Sequence, residues 1–527
     1  MTADRVGTGM ALDRRTLLRL GAGLGLGGLA GCTSRLPIPG TGSPAAVELL
    51  TADVPRTDPD VPDERLDPLA DAIAGFGFEL LRELATGGAG GSTAGSNGDS
   101  TDGDPGDTAA AGNLVVSPYS IETALAMCYA GARGDTAREI ASTLLLPTDP
   151  HPAVNALDRR IDPPDGAGSA DGTATPTPDG DGDGDADADG DADADGDDER
   201  RPFTVETASS LWGQRGFAYA EPFLETLARH YGAGLRAVDF REDPEGARRA
   251  VNGWVAEETD GEITDLLPRG SIDPNVRFVI ANAVYFLGDW RHQFQRERTE
   301  RGEFTALDGS TSRVPLMRQS APFPYAAVAP PGGESESTGS DGGEDADGDD
   351  GDDADGDADR VQVIELPYVN ADFGMVIALP PAGAFEAVQS SLTASRFRGW
   401  TAALSERTGR LAIPKFSFET GAALRPTLSA LGMPRPFDPD RADFGAMVEG
   451  EGNPGLFLFD VYHRARVTVD EEGTEAAAAT GAVGGTTSAP VDPFEMVVDR
   501  PFVFAIRHRP TNAPLFVGRV VDAGAAQ

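Results

Sequence analysis

Large apolar residues fall at two periods along this 527-residue chain, and long stretches between them hold almost none. From Asp63 to Ala85, Leu66, Leu69, Ile73, Phe76, Phe78, Leu80, Leu81 and Leu84 recur at helical spacing and predict one long amphipathic helix. Ser117-Pro118 opens a second apolar helix, with Ser117 as N-cap and Pro118 in the first turn, where its missing N–H costs nothing. Shorter helical patterns cover Thr136–Leu146, Pro222–Tyr231, Pro244–Glu257 and Leu424–Leu431, the last stopped by Gly432. Strand patterns cover Phe203–Trp212, Val276–Phe286, Val361–Pro367, Phe373–Leu379 and Leu411–Phe418, and Pro501–Val521 reads as a terminal hairpin. Val276–Phe286 is almost wholly apolar, which predicts a strand covered on both faces. Helices and strands alternate without βαβ repetition, so the class is α+β.

Composition changes the picture between these elements. The segments 86–112, 162–200 and 334–360 are built from Gly, Ser, Asp and Glu and cannot bury enough apolar surface to order themselves, so they read as insertions in one domain. Residues 161–200 hold 15 acids and one arginine, and residues 331–360 hold 13 and one. The chain's net charge is −43, of which −17 lies outside those two stretches. Such a balance disfavours binding to nucleic-acid phosphates. The Asp-Gly-Asp-Ala-Asp runs resemble pieces of calcium loops. They lack EF-hand helices and the closing Glu, and are read as solvated loops with no metal site. Lys415 is the only lysine in the chain, and heavy acid with almost no lysine suggests a high-salt environment or Arg-rich codon usage.

The N-terminus reads as an address. Arg14-Arg15 within Asp13–Leu18 resembles a twin-arginine motif, and Leu29-Ala30-Gly31-Cys32 resembles a lipobox. Residues 1–31 are therefore expected to be an export signal, Cys32 the lipidated first residue of the mature chain on the outer face of the membrane, and residues 32–62 a flexible tether. A secreted form without lipid is the alternative. Cys128 sits in an apolar helical run and reads as a small buried hydrophobe, so no disulfide is expected.

Catalytic chemistry finds little support. Five histidines are present, but there is no G-x-S-x-G elbow, H-E-x-x-H site, Walker loop or dinucleotide fingerprint. The chemistry instead concentrates in Val467–Pro490, VTVDEEGTEAAAATGAVGGTTSAP. It starts as a strand at Val467 and Val469 and bends through Asp470, Glu471, Glu472 and Gly473. Thr474, Glu475, Ala476, Ala477, Ala478, Ala479 and Thr480 follow, then glycines at 481, 484 and 485. A run of small residues like this is an exposed protease substrate or a linker, and it can also slide between two strands without a clash.

EEGTEAAAAT resembles the hinge of the reactive-centre loop of the serpins, the serine protease inhibitors. NLVVSPYSIETALAMCYAGARGDTAREI (Asn113–Ile140), RFVIANAVYFLGDW (Arg277–Trp290), VIELPYVNADFGMVIALP (Val363–Pro380), RLAIPKFSFET (Arg410–Thr420) and PFVFAIRHRPTNAPLFVGRVV (Pro501–Val521) match the same family in order. The resemblance covers roughly residues 65 to 522. It implies an α+β serpin domain over 63–522 with three sheets, eight or nine helices and an exposed loop, followed by a short tail at 523–527.

The resemblance also implies a mechanism. A serine protease cleaves the loop and is caught as a covalent acyl-enzyme. The cut loop enters the large sheet as a new strand and distorts the protease, and the protein needs no cofactor and acts as a monomer. Alternate hinge residues Thr474, Ala476, Ala478 and Thr480 would face inward, and Glu475 outward. Ser117, Ser120, Asn282 and His463 match the family's shutter, and Trp290 matches its breach. Counting from Glu471 places the cleaved bond at Thr487-Ser488, while counting back from Pro501-Phe502 places it near Pro490-Val491. A small residue at Thr487 suits subtilisin- or elastase-like pockets. A non-inhibitory serpin and a cation-sequestering surface lipoprotein are the alternatives.

Overall fold

The computed structural model describes residues 45–87, 112–162, 203–332, 357–450, 452, 455–474 and 493–527. Residues 44–157 and 198–527 form one compact unit. Of a second unit, residues 1–43 with 158–197, only Asp158–Asp162 are described. Cys32, Glu475, Ala476, Ala477, Ala478, Ala479, Thr480, Thr487 and Ser488 lie outside the described residues, as do the export signal and most of each acidic insertion.

In chain order the elements begin with β1 (Glu48–Leu50), α1 (Asp63–Ala85), β2 (Leu114–Val116), α2 (Pro118–Tyr129), α3 (Gly134–Thr143) and α4 (Pro150–Ile161). Next come β3 (Phe203–Gln214), α5 (Glu221–Thr226), β4 (Leu235–Val238), α6 (Pro244–Glu258), β5 (Phe278–Asp289), β6 (Glu300–Thr305) and β7 (Thr311–Val328). After these are β8 (Val361–Pro367), β9 (Phe373–Leu379), α7 (Phe385–Ser390), α8 (Ala394–Ala403), β10 (Ser405–Pro414), β11 (Phe416–Ala423) and α9 (Arg425–Ala430). The chain closes with β12 (Leu458–Val469), β13 (Gly473–Thr474), β14 (Phe494–Val497), β15 (Phe502–His508) and β16 (Ala513–Val520).

The strands form two hydrogen-bonded networks. The first has seven strands in the order β1-β4-β3-β5-β12-β11, with β13 on β5. The second has nine, ordered β14-β10-β7-β8-β9-β15-β16-β2, with β6 on β7. The expected three sheets are resolved here as two networks because β7 is long enough to serve two blocks. Its first half pairs with β6, its middle with β10 and its end with β8. Pro322 and Pro324 lie where β10 is its only partner, so one side of β7 there has no ladder to break.

β5 is the spine of the first sheet. Its alternate residues Phe278 and Ile280 join the main core with Phe76, Leu125 and Val517, while Val279, Ala281 and Ala283 join a second cluster with Trp212, Val251 and Val255 of α6. Each such fully buried large side chain contributes about 1.5–3 kcal/mol, which fixes α2 beneath the sheet and α6 above it. Toward Asp289 the second cover ends, and Tyr285, Leu287 and Asp289 are half-buried.

The described part of the expected flexible tether and the short C-terminal tail are both tied down. Residues 45–62 form a strap: β1 pairs with β4, Ala45 N–H donates to Gly246 O, Thr57 N–H donates to Arg229 O, and Arg56 Nε donates to Asn155 Oδ1 at 2.8 Å. At the other end Ala523 and Ala526 are buried, Ala526 O accepts from Ser417 N–H, and Gln527 Nε2 donates to Lys415 O at 2.7 Å. The pattern Leu411–Phe418 also proves to be two strands, β10 in one network and β11 in the other, joined by Lys415.

Candidate functional site

The first residues of the expected hinge pair with the sheet. β5 and β12 run parallel and pair from Phe278–Leu458 up to Val284–Ala465, where their ladder stops. Beyond it the upper half of β12 pairs with β11, and β5 keeps β3 on its other side. At the top of the resulting opening Gly473 pairs antiparallel with Asp289, and Thr474 with Gly288. Among the described residues, Tyr285, Phe286 and Leu287 therefore have no strand partner on the side of β12.

The acidic turn is folded by its own first residue. Asp470 Oδ1 accepts from Glu472 N–H and Gly473 N–H, at 3.0 and 3.2 Å, and Asp470 N–H donates to Gly473 O at 2.9 Å. Gly473 is obligatory here, because a Cβ would lie 2.2 Å from Gly288 O. Trp290 grips the turn twice, with Nε1 donating to Asp470 O and its backbone N–H to Glu472 O, and its ring stacks on buried Tyr368 with centroids 4.7 Å apart.

Both hinge glutamates are buried and charged partners meet them. Glu471 accepts from Lys415 Nζ at 2.6 Å and from Thr299 Oγ1 at 2.7 Å. Burial alone would raise its carboxyl, but these hydrogen bonds outweigh it and hold the group below its ordinary value. Glu472 pairs with Arg296 through one oxygen, and the other is buried without a partner among the described residues. Asp289 is pushed upward by partial burial and by the negative charges of Glu472 and Asp470.

Further down β5 the sheet is closed by a neutral network. Asn282 and His463 are register partners across β5 and β12. Ser117 N–H donates to His463 Nε2 at 3.2 Å, so the ring carries its proton on Nδ1, which donates to Asn282 Oδ1 at 2.6 Å. Asn282 Nδ2 donates to Ser120 Oγ and Ser209 Oγ, at 2.6 and 2.7 Å. Ser117, Ser120, Asn282 and His463 are fully buried, and burial pushes the imidazole down to about 3, so it is neutral in the folded protein. Ser117 Oγ accepts from Ser120 N–H, the expected N-cap.

The structure thus brings Ser117, Ser120, Asn282 and His463 together, and joins Trp290 to Glu471, Glu472, Gly473 and Thr474. Sequence reasoning missed Ser209, Thr299, Arg296 and Lys415. Lys415 did carry a signal, as the only lysine in the chain. Cys128 is free and buried, and burial raises its thiol, in keeping with an inert hydrophobe. Among the described residues no group of His, Cys, Asp and Glu can hold a metal ion, and no described helix is long and apolar enough to cross a membrane.

A family model for serpin (serine protease inhibitor) matches residues 106–337 and 349–523. An uncharacterized serpin-like protein of Thermococcus kodakarensis is 33% identical over 89% of this chain and 89% of its own length. The leukocyte elastase inhibitor of Bos taurus is 32% identical over 78% of this chain and 93% of its own length. Among solved structures, a thermophilic serpin, tengpin, in the native state superposes with a TM-score of 0.64 over 90% of this chain and 99% of its own, at 21% identity. Native protease nexin-1 with heparin gives 0.62 over 87% and 100%, at 23% identity. At those identities the structural likeness speaks for the fold alone.

Proposed function

Because the chain belongs to the serpin family, we propose that it inhibits serine-type proteases as a suicide substrate, with the loop after Thr474 cut, the protease held as an acyl-enzyme, and the loop drawn into the seven-stranded sheet. The observation that carries this reading is the docked hinge. Gly473–Thr474 lie on Asp289–Gly288 at the mouth of an opening whose ladder begins again at Val284 and Ala465.

Extending that register predicts each later contact. Glu475 would meet Leu287, Ala476 Phe286 and Ala477 Tyr285, filling the stretch of β5 that has no partner toward β12. From Ala478, opposite Val284, every further step has to part β5 from β12. Thr480 would arrive opposite Asn282, where the bond to His463 spans the two strands. Directly opposed residues of an antiparallel pair share a face. Thr474, Ala476, Ala478 and Thr480 therefore share the face of Gly288, Phe286, Val284 and Asn282, the buried one. Small, uncharged side chains suit that face, and Glu475 falls on the other. Gly481, Gly484 and Gly485 weaken the distal strand, which slows its entry and lets some protease escape.

The cut is assigned to Thr487-Ser488, and the target to a subtilisin- or elastase-like protease with a small specificity pocket. The protein acts as an exported monomer held on the outer face of the membrane through lipid on Cys32. Incubation with a subtilisin-type protease followed by denaturing electrophoresis tests the first part. A covalent band of summed mass is expected, and cleavage of the loop with no such band would leave a non-inhibitory member of the family. For the second part, Cys32→Ser should release the protein from the membrane fraction, and lysines at Arg14 and Arg15 should keep it inside the cell.

A further inference from the structure

The segment Arg296–Thr299 touches the rising foot of the loop twice, Arg296 pairing with Glu472 and Thr299 with Glu471. Between those two residues, exposed Arg298 turns to a cavity of about 240 Å³ that it shares with Arg318, Gln319, Arg410, Glu495 and Met496. The far wall of that cavity is β14, the strand that takes up the chain after residue 492. β14 is held firmly: it pairs in parallel with β10, opposing Arg410 with Glu495, and the Phe494 ring stacks on Tyr325 with centroids 4.2 Å apart. The cavity therefore lies between the two feet of the loop.

Its charge runs against that of the chain. Residues 291–320 carry six arginines and four acids, a surplus of two positive charges in a chain of −43. Arg318 reaches Glu300 only at 3.7 Å, with both side chains largely exposed. Arg298 and Arg410 have no ion-pair partner among the described residues. Three arginines line one concavity with Glu495 as its one acidic lining residue, and Arg298 and Arg410 leave their exposed guanidiniums available to a ligand.

We propose that Arg298, Arg318 and Arg410 form a docking surface for the acidic face of the protease that binds the loop. This rests on the protease-trapping reading and adds to it what selects the partner. The cavity lies between the described ends of the loop, where a protease bound to the loop would come near it, and a chain this acidic otherwise repels an acidic enzyme. Guanidinium forks aimed at surface carboxylates would speed encounter and set orientation, and their contribution is to the association rate.

The test uses two subtilisin-type proteases, one with a strongly acidic surface and one with a strongly basic surface. The variant with Arg298→Glu, Arg318→Glu and Arg410→Glu should trap the acidic protease about 10- to 100-fold more slowly, with the number of inhibitor molecules consumed per protease unchanged. It should trap the basic protease no more slowly than wild type. Raising salt from about 0.1 to 1 M should shrink the difference. Should the Glu variant fail to fold, the same three positions changed to Gln delete the charge alone and answer the same question. An equal loss with both proteases, or no loss with the acidic one, overturns the proposal. So does relief of the difference by millimolar sulfate with both proteases, which would make the cavity a small-anion site. If wild type forms no covalent complex, the trapping reading fails by itself, and the rates of loop cleavage by the two proteases still decide the docking surface.

Discussion

At its upper end the opening between β5 and β12 is held by charges near the surface, Glu471 to Lys415 and Glu472 to Arg296, whereas lower down it is closed by the neutral network of buried Asn282, His463, Ser117 and Ser120 with half-buried Ser209. The upper contacts are reachable by water and salt. Lys415 is about one-third exposed and Arg296 66%, so their Coulomb energy is screened and each pair contributes modestly. Asn282, His463, Ser117 and Ser120 of the lower network are fully buried, and any of their polar groups that loses its partner costs its full desolvation. Under the proposed mechanism the hinge would be positioned weakly and reversibly at the top, and the barrier to full insertion would stand at the shutter. A sheet whose lifetime is set by a barrier rather than by equilibrium stability would need this division.

The largest expected effect comes from forbidding entry altogether. Thr474→Arg places a charge on the buried face, where an unpaired guanidinium costs several kcal/mol. The loop should still be cut near Thr487-Ser488 but no longer retain protease, turning inhibitor into substrate on denaturing gels. Glu475→Arg, on the other face, should still form the covalent complex, and equal trapping by both variants would exclude insertion as the mechanism.

Removing the shutter bond should have the next largest effect. Asn282→Ala removes the donor to Ser120 and Ser209, which keep their bond to each other, and strips the acceptor from His463 Nδ1, leaving that buried N–H unpaired at about 1–3 kcal/mol. The native form should convert to an inserted or polymeric state about ten times faster on mild heating, followed by native gel electrophoresis. Lifetimes equal to wild type would move the barrier elsewhere.

Acid should tell the two ends apart. His463 is neutral in the fold down to about pH 3, while an unfolded imidazole takes its proton near the ordinary 6.5. Between those values the unfolded chain binds the extra proton, so this stabilisation is complete above about pH 6.5 and is lost as pH falls toward 3, at up to ~1.4 kcal/mol per pH unit. His151, pushed down to about 4 by burial, acts in the same direction, and Asp460, raised to about 6 by burial, opposes both between about 6 and 3.8. Urea midpoints measured from pH 7 to 4.5 should fall less steeply in His463→Phe than in wild type, whatever its absolute stability. Parallel slopes would mean that His463 titrates normally in the fold.

The smallest change is expected at the top. Lys415→Met removes the ammonium from Glu471 but keeps the stem, at about 1 kcal/mol after allowance for solvent screening. Spontaneous conversion should rise only a few-fold, and the excess over wild type should vanish in molar salt, a dependence that Asn282→Ala should lack.

The chain's own pattern went far. α1 runs over Asp63–Ala85 as its periodicity requires, because a 23-residue amphipathic stretch needs no distant partner to declare its period. The hairpin β15–β16, the doubly covered β5 and the N-cap at Ser117 were legible for the same reason. β7 was not: Pro315, Pro322 and Pro324 break its local pattern, and only the staggered partners β6, β10 and β8 show that one strand runs through all three. Leu411–Phe418 alternates like one strand, yet local alternation cannot say which sheet a strand joins, and the change of sheet falls at Lys415. By itself the sequence determined the elements, the small residues of the loop and the polar residues of the shutter. Tertiary structure alone decided that Lys415 meets Glu471 across 56 residues, that β5 and β12 part above Val284 and Ala465, and that Gly473–Thr474 already occupy the mouth of that opening. Those are facts of register and of distance between separate segments, and a local pattern encodes neither.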